Sequence, residues 1–173
     1  MSSKSKELVF QNDILEQMQS HGWLLGESKS YNKELALYPE DLIAFVQTTQ
    51  PEQWKKQLGI HPKNPEDALL KTVVRDLSAN NKGTLWVLRN LIKDRGAKFS
   101  LCAFKPDHGL NPDAIERYNQ NILRVVPELK YSPNGYDGRI DLTLFVNGIP
   151  VATLELKSEF KQALENAKIQ YMK

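Results

Sequence analysis

Apolar positions recur at helical spacing through the first half of this chain and alternate at strand spacing in its last third. Phe10, Ile14, Leu15 and Met18 form one stripe, which predicts a helix from about Lys6 to His21 with Gly22 as its stop. Tyr38-Pro39-Glu40-Asp41 predicts a second helix start, with Pro in the first turn and carboxylates at the positive helix end. Leu42, Phe45 and Val46 would face inward. Pro51-Glu52-Gln53-Trp54 restarts a short helix, and Asn64-Pro65-Glu66-Asp67 opens another, with Leu69, Leu70, Val73 and Leu77 on one face. Asn80-Asn81-Lys82-Gly83 ends it.

The pattern then changes. Leu85 to Ile92 is largely apolar and fits helix or strand, with helix favoured, while Phe99 to Phe104 and Asn121 to Val126 read as strands. Between them lie the turn-rich Lys105-Pro106-Asp107-His108-Gly109 and a short segment after Asn111-Pro112. The clearest strands are 139–146, where Ile140, Leu142, Leu144 and Val146 alternate, and 149–157, with Val151, Thr153 and Leu154. Asn147-Gly148 joins them as a hairpin turn. Ser158 caps a last helix carrying Phe160, Leu164, Ala167 and Tyr171 at helical spacing. Helices, then a small mostly antiparallel sheet, then a helix make an α/β (α+β) layered domain.

Length and composition narrow the class. At 173 residues the chain suffices for one domain with its own core, and 40% hydrophobic with 25% charged residues argues against disorder. Basic and acidic residues number 23 and 21, so no global attraction to a polyanion follows. The single Cys102 excludes an internal disulfide and a cysteine-based zinc site. The opening residues lack the apolar core of a signal peptide, and no run approaches the ~20 apolar residues needed to cross a bilayer. A cytoplasmic protein is expected. The chain stops at Gln170-Tyr171-Met172-Lys173 inside the last helix, which suggests a piece of something longer.

Candidate chemistry gathers in 139–157. Asp141 lies early in the first hairpin strand, and Glu155 and Lys157 lie two apart near the end of the second, so those two share a face. The hairpin collects two carboxylates and an ammonium at one end of a sheet. Paired carboxylate oxygens suit Mg²⁺, which keeps several waters and also takes phosphate oxygens. The metal polarises the phosphate and acidifies bound water. A lysine beside it orients that water or stabilises transition-state charge. The implied reaction is metal-dependent phosphodiester hydrolysis; the alternative is solvated strand-end charge, the ordinary state of exposed Asp and Glu. Register decides between them. With a strict two-residue turn Asp141 would stand opposite Leu154, and Glu155 would project from the other face. A shared site therefore predicts an odd loop or a bulge, with the regular turn broken, and Pro150 favours such an irregularity.

An Asp on one strand, Glu-x-Lys on the next and a helix after it resemble the PD-(D/E)xK nuclease core. Gly83-Thr84-Leu85-Trp86-Val87-Leu88-Arg89-Asn90, Ile140 to Pro150, and Leu154-Glu155-Leu156-Lys157 resemble the N-terminal nuclease domain of the restriction (R) subunit of type I restriction–modification enzymes. Phe10 to Trp23 and Leu42 to Trp54 extend the likeness over almost the whole chain. The resemblance implies a restriction-endonuclease-like core, with a central mixed sheet flanked by helices and an N-terminal helical part, all within one domain over 1–173. It implies that Asp141 and Glu155 hold Mg²⁺, that the Leu156 carbonyl completes the coordination, and that Lys157 is the catalytic lysine. It further implies double-stranded DNA as substrate, and partnership with the modification (M) and specificity (S) subunits. Cleavage would be coupled to ATP-driven translocation by a motor absent from these residues.

Two features depart from related nucleases. A Gln-x-x-x-Tyr pair would need Gln where Ala167 stands, so Tyr171 reads first as a core aromatic, with a DNA contact as the alternative. The metal-facing Glu of a first helix has only Gln11, Asp13 and Glu16 as counterparts, and the sequence does not choose among them. Elsewhere, Arg89, Lys93, Arg95, Lys98 and Lys105 are opposed only by Asp94, a local excess suited to DNA phosphates or to a solvated face. Trp86, Phe99 and Phe104 beside them read as buried. His21, His61 and His108 read as structural or exposed, and Cys102 as a small buried residue. The reading is a Mg²⁺-dependent DNA endonuclease domain; its rival is a catalytically inactive nuclease-fold module that docks DNA or the methyltransferase subunits.

Overall fold

The computed structural model describes residues 3–134 and 137–156. In chain order the elements are α1 (Ser3–Ser20), β1 (Leu24–Leu25), a 3-10 turn (Ser28–Ser30), α2 (Pro39–Thr49), α3 (Pro51–Ile60), α4 (Pro65–Leu77) and α5 (Thr84–Arg89). Then follow β2 (Ile92–Asp94), β3 (Ala97–Phe99), α6 (Pro112–Asn119), β4 (Leu123–Lys130), β5 (Arg139–Val146) and β6 (Ile149–Leu154). A four-stranded sheet runs in the order β1-β4-β5-β6, and β2-β3 form a separate hairpin. β1 lies parallel to β4 and the other pairs are antiparallel, so the main sheet is mixed. The fold is α/β, with helices flanking the sheet.

Pro stands in the first turn of α2, α3, α4 and α6, where its missing N–H is no loss. The inward faces follow the expected periodicity: Leu42, Phe45, Val46, Leu69, Leu70 and Val73 are all buried. With Val87, Ile92, Phe99, Leu101 and Ile149 they form the largest core, between the helices, the β2–β3 hairpin and the turn end of β6. Each such side chain taken fully from water contributes about 1.5–3 kcal/mol. The main sheet is covered on both faces. Leu15 of α1 packs on Val125 and Leu142, and Tyr38 packs on Val126 and Phe145. The Tyr31 and Tyr38 rings lie 5.9 and 5.8 Å from the Phe145 ring, in tilted arrangements.

Several expectations shift. The α1 stripe is rotated: Phe10 is exposed, and the buried position beside it is Gln11. The run after Leu85 divides, with α5 ending at Arg89 and Ile92 entering β2. The strand expected at Phe99 to Phe104 stops at Phe99 because side-chain amides take over its backbone. Gln50 both donates to the Ser100 carbonyl and accepts from its N–H, each at 2.8 Å. Asn121 does the same for Ala103, at 2.7 and 3.1 Å, and Asn147 Nδ2 donates to the Leu101 carbonyl at 2.9 Å. These bonds satisfy the segment without a partner strand. Cys102 therefore lies half-buried in irregular chain, where burial pushes its thiol pKa up, and Phe104 is exposed. The expected helix from Ser158 lies outside the described residues.

Candidate functional site

β5 and β6 meet at a regular turn. Val146 pairs with Ile149 across Asn147-Gly148, both in the left-handed region, with φ of 48° and 77°. Asn147 is fully buried, and its side chain accepts from Ile122 N–H at 2.7 Å. The expectation of a broken turn is thus corrected: the irregularity lies farther up the strand. Phe145 pairs with Pro150, but Leu144 pairs with Ala152, so Val151 is a one-residue bulge. Beyond it Thr143 faces Thr153 and Leu142 faces Leu154. The strand expected over 149–157 ends here, at Leu154; the same register carried one position further would set Asp141 across from Glu155, on one face of the sheet. Cβ atoms of directly opposite residues stand about 5 Å apart. Among the described residues Pro150 sits on an edge strand, where the absent N–H leaves no interior ladder bond unmade.

The Asp141 carboxylate is fixed in place. Its Oδ2 accepts the Leu156 backbone N–H at 2.5 Å, joining the start of β5 to the residue after Glu155. Asp141, Glu155 and Leu156 are all half-buried. On the β4 side the pairs Pro127–Leu142 and Leu129–Ile140 bracket Glu128, which therefore flanks Asp141 from the opposite direction. Glu128 has φ of 49°, and its Oε2 lies 3.6 Å from Arg139 Nη1. Arg139 also approaches Asp137 at 3.5 Å, and Lys130 Nζ bonds Asp137 at 3.0 Å. The bond from Lys130, with the nearby Arg139 charge, holds Asp137 below the usual carboxylate range. Sequence reading missed Glu128, because nothing in Pro-Glu-Leu-Lys announces a left-handed residue inside a strand.

The other candidates are spread over the molecule. Gln11 is buried on α1, whereas Asp13 and Glu16 are exposed. Arg89 is exposed at the end of α5, Lys93 and Lys98 are exposed on the β2–β3 hairpin, and Arg95 sits in its turn. Lys105 is exposed in the loop before α6. Lys157 and Tyr171 lie outside the described residues. His61 is structural, bonding Asp94 at 2.9 Å, while His21 and His108 are exposed. The Glu155 position, the Leu156 carbonyl and Asp141 supply only oxygen donors, the set a hard cation takes. Among the described residues no group of three or more His, Cys, Asp or Glu is placed to hold a metal, so such a cation would keep several waters.

The family model for the type I restriction enzyme R protein N terminus matches residues 4–173. The chain belongs to that family. No curated protein and no solved structure matches it. No helix among the described residues is long and apolar enough to cross a membrane.

Proposed function

We propose that this R-protein N terminus is the Mg²⁺-dependent DNA endonuclease module of a type I restriction enzyme. The observation that carries the reading is the Val151 bulge, which pairs Leu142 with Leu154, the register that, carried one position further, would put Glu155 on the face of Asp141. A sheet with regular pairing would separate the two carboxylates, and a bulge costs ladder regularity that solvated charges do not require. Asp141 and Glu155 would hold the ion, with the Leu156 carbonyl beside them. When bound, Mg²⁺ polarises the scissile phosphate and lowers the pKa of its water.

The chain's own groups do the positioning. The Leu156 N–H fixes one Asp141 oxygen, so the carboxylate presents its other oxygen without a search over rotamers. Lys157, two positions after Glu155 in the sequence, would set the attacking water and offset charge on the phosphate. The substrate is duplex DNA, cut while an ATP-driven motor in the whole R protein moves it. The M and S subunits are the proposed partners, and S would carry recognition.

The test is Lys157→Ala and Glu155→Ala in the full type I assembly. Both are expected to lower cleavage by at least about a hundredfold, the scale of losing one transition-state contact, with translocation unchanged. Asp141→Ala should also abolish any rise in melting temperature caused by millimolar Mg²⁺ or Mn²⁺. Retained cleavage with normal translocation would refute the assignment and favour a docking role.

A further inference from the structure

Charge on this near-neutral chain is segregated. Residues 51–105 carry eleven Lys and Arg against five Asp and Glu, while the remainder carries twelve against sixteen. Of that excess of six, the β2–β3 hairpin carries two, α3 and α5 one each and the connecting segments three, while α4 is one acid richer.

The hairpin sorts its charges by face. Ile92, Asp94, Ala97 and Phe99 turn inward, and Lys93 and Lys98 turn outward. Lys93 and Lys98 are direct cross-strand partners. Like charges placed so are destabilising, and each strand could carry a neutral residue there instead. The hairpin's one acid cannot offset them. Asp94 is 12% exposed, and its Oδ2 accepts from Gln57 Nε2 and bonds His61 Nε2, both at 2.9 Å. Arg75 of α4 adds a third cation: its Nη2 reaches the Lys93 carbonyl at 3.4 Å, and its Nε bonds the buried Asp76. Arg95 in the turn, with φ of 50°, adds a fourth.

We infer that this outer face, Lys93, Lys98, Arg75 and Arg95, docks the phosphate backbone of duplex DNA as a second contact, separate from the proposed cutting site. The inference rests on the reading that the chain acts on DNA. Two lysines a strand apart with a guanidinium alongside match a row of phosphates, and backbone contacts position a duplex without reading its sequence. The face is also displaced from Asp141. Asn147, in the turn after β5, six positions on from Asp141 and about 20 Å by strand rise, is the residue bonded to the segment following β3. A duplex held at both places would be oriented over the carboxylates rather than merely touching them.

The experiment compares the 173-residue chain with Lys93→Gln/Lys98→Gln, and separately with Asp141→Ala, binding a labelled random-sequence duplex across a salt series. Loss of two phosphate contacts should reduce the slope of log affinity against log salt by close to 2, at about 0.9 per contact, and weaken binding several-fold at low salt. Circular dichroism should be unchanged, since both side chains are exposed. Unchanged affinity and slope overturn the inference, as does absence of duplex binding by the parent. Self-association of the lysine variant with unaltered affinity also overturns it, because the lysines would then serve only to keep edges apart. The two readings fail separately. An unaltered slope with cleavage still requiring Lys157 removes the docking face alone, and a reduced slope with Lys157→Ala cleaving normally removes the nuclease alone.

Discussion

At Gly148 one hydrogen atom decides the local structure. Its φ of 77° is a region L-residues enter at a cost of roughly 1–2 kcal/mol. A Cβ would also run into the Tyr38 carbonyl oxygen and stand 2.9 Å from the Leu42 amide nitrogen, both backbone atoms of the α2 entry. The same glycine accepts the Tyr38 N–H at 2.8 Å, so the turn cannot simply move aside. Gly148→Ala is expected to destabilise the fold by at least about 3 kcal/mol, strain and overpacking combined, read as a lower urea midpoint with an unchanged slope. The Asn-Gly dipeptide made this turn legible in the sequence. The tight seating against α2 was not, because it depends on a contact more than a hundred positions away. Nor was the role of Asn147 legible, whose side chain bonds Ile122 and Leu101, 25 and 46 positions away.

The hairpin shows where pattern stops and register begins. Alternation in Ile140, Leu142, Leu144 and Val146 set the limits of β5, whereas the run after Gly148, read as strand to 157, gives a β6 that ends at Leu154. What they could not set was which residue would be extra. Only the pairing shows that Val151 is skipped and Leu142 faces Leu154, the register whose next step would bring Asp141 to Glu155. Length changes in β6 test this directly. Deleting Val151 would yield a regular ladder that still places Asp141 opposite Glu155, so Mg²⁺-dependent thermal stabilisation should persist. Inserting one alanine after Thr153 would bring Leu154 across from Asp141 and turn Glu155 to the other face, and the stabilisation should vanish. Equal metal responses in the two variants would show that register does not form the site. Elsewhere helix starts were readable from Pro and acidic residues, since capping is local. The β2–β3 hairpin was not, because its strands are three residues each and the first of them begins inside the apolar run that reads as helix.

The whole molecule is fastened where the helical core meets the sheet, and the fastening is ionic. Asp41, in the first turn of α2, accepts from Arg124 of β4 through both oxygens, at 2.6 and 2.7 Å, and the side chains are 3% and 12% exposed. Arg124 also donates to the Leu25 carbonyl at 3.2 Å and lies 4.6 Å from the Tyr38 ring centre. One guanidinium thereby joins α2, β1, β4 and the residue that seats Gly148. Gly26 leaves it room, as a Cβ there would stand 2.6 Å from Arg124 Cδ. No pattern of hydrophobic positions foretells such a pair, since Asp41 reads as a helix-start acid and Arg124 as a strand charge. Removing one partner leaves the other buried and uncompensated, so Asp41→Leu and Arg124→Met should each cost about 3–5 kcal/mol. The double variant should cost clearly less than the two together, because it buries no lone charge. Additive losses in chemical denaturation would instead mean that each residue acts through separate neighbours. The consequence for function follows from position. β4 carries Arg124 near one end and Glu128 beside Asp141 at the other, so loosening the pair in Arg124→Met should disturb the carboxylate end of the sheet only as far as global stability falls. A melting-temperature shift on adding Mg²⁺ that equals the parent's, in a variant of lower stability, would show the clamp and the proposed site to be independent parts of one strand.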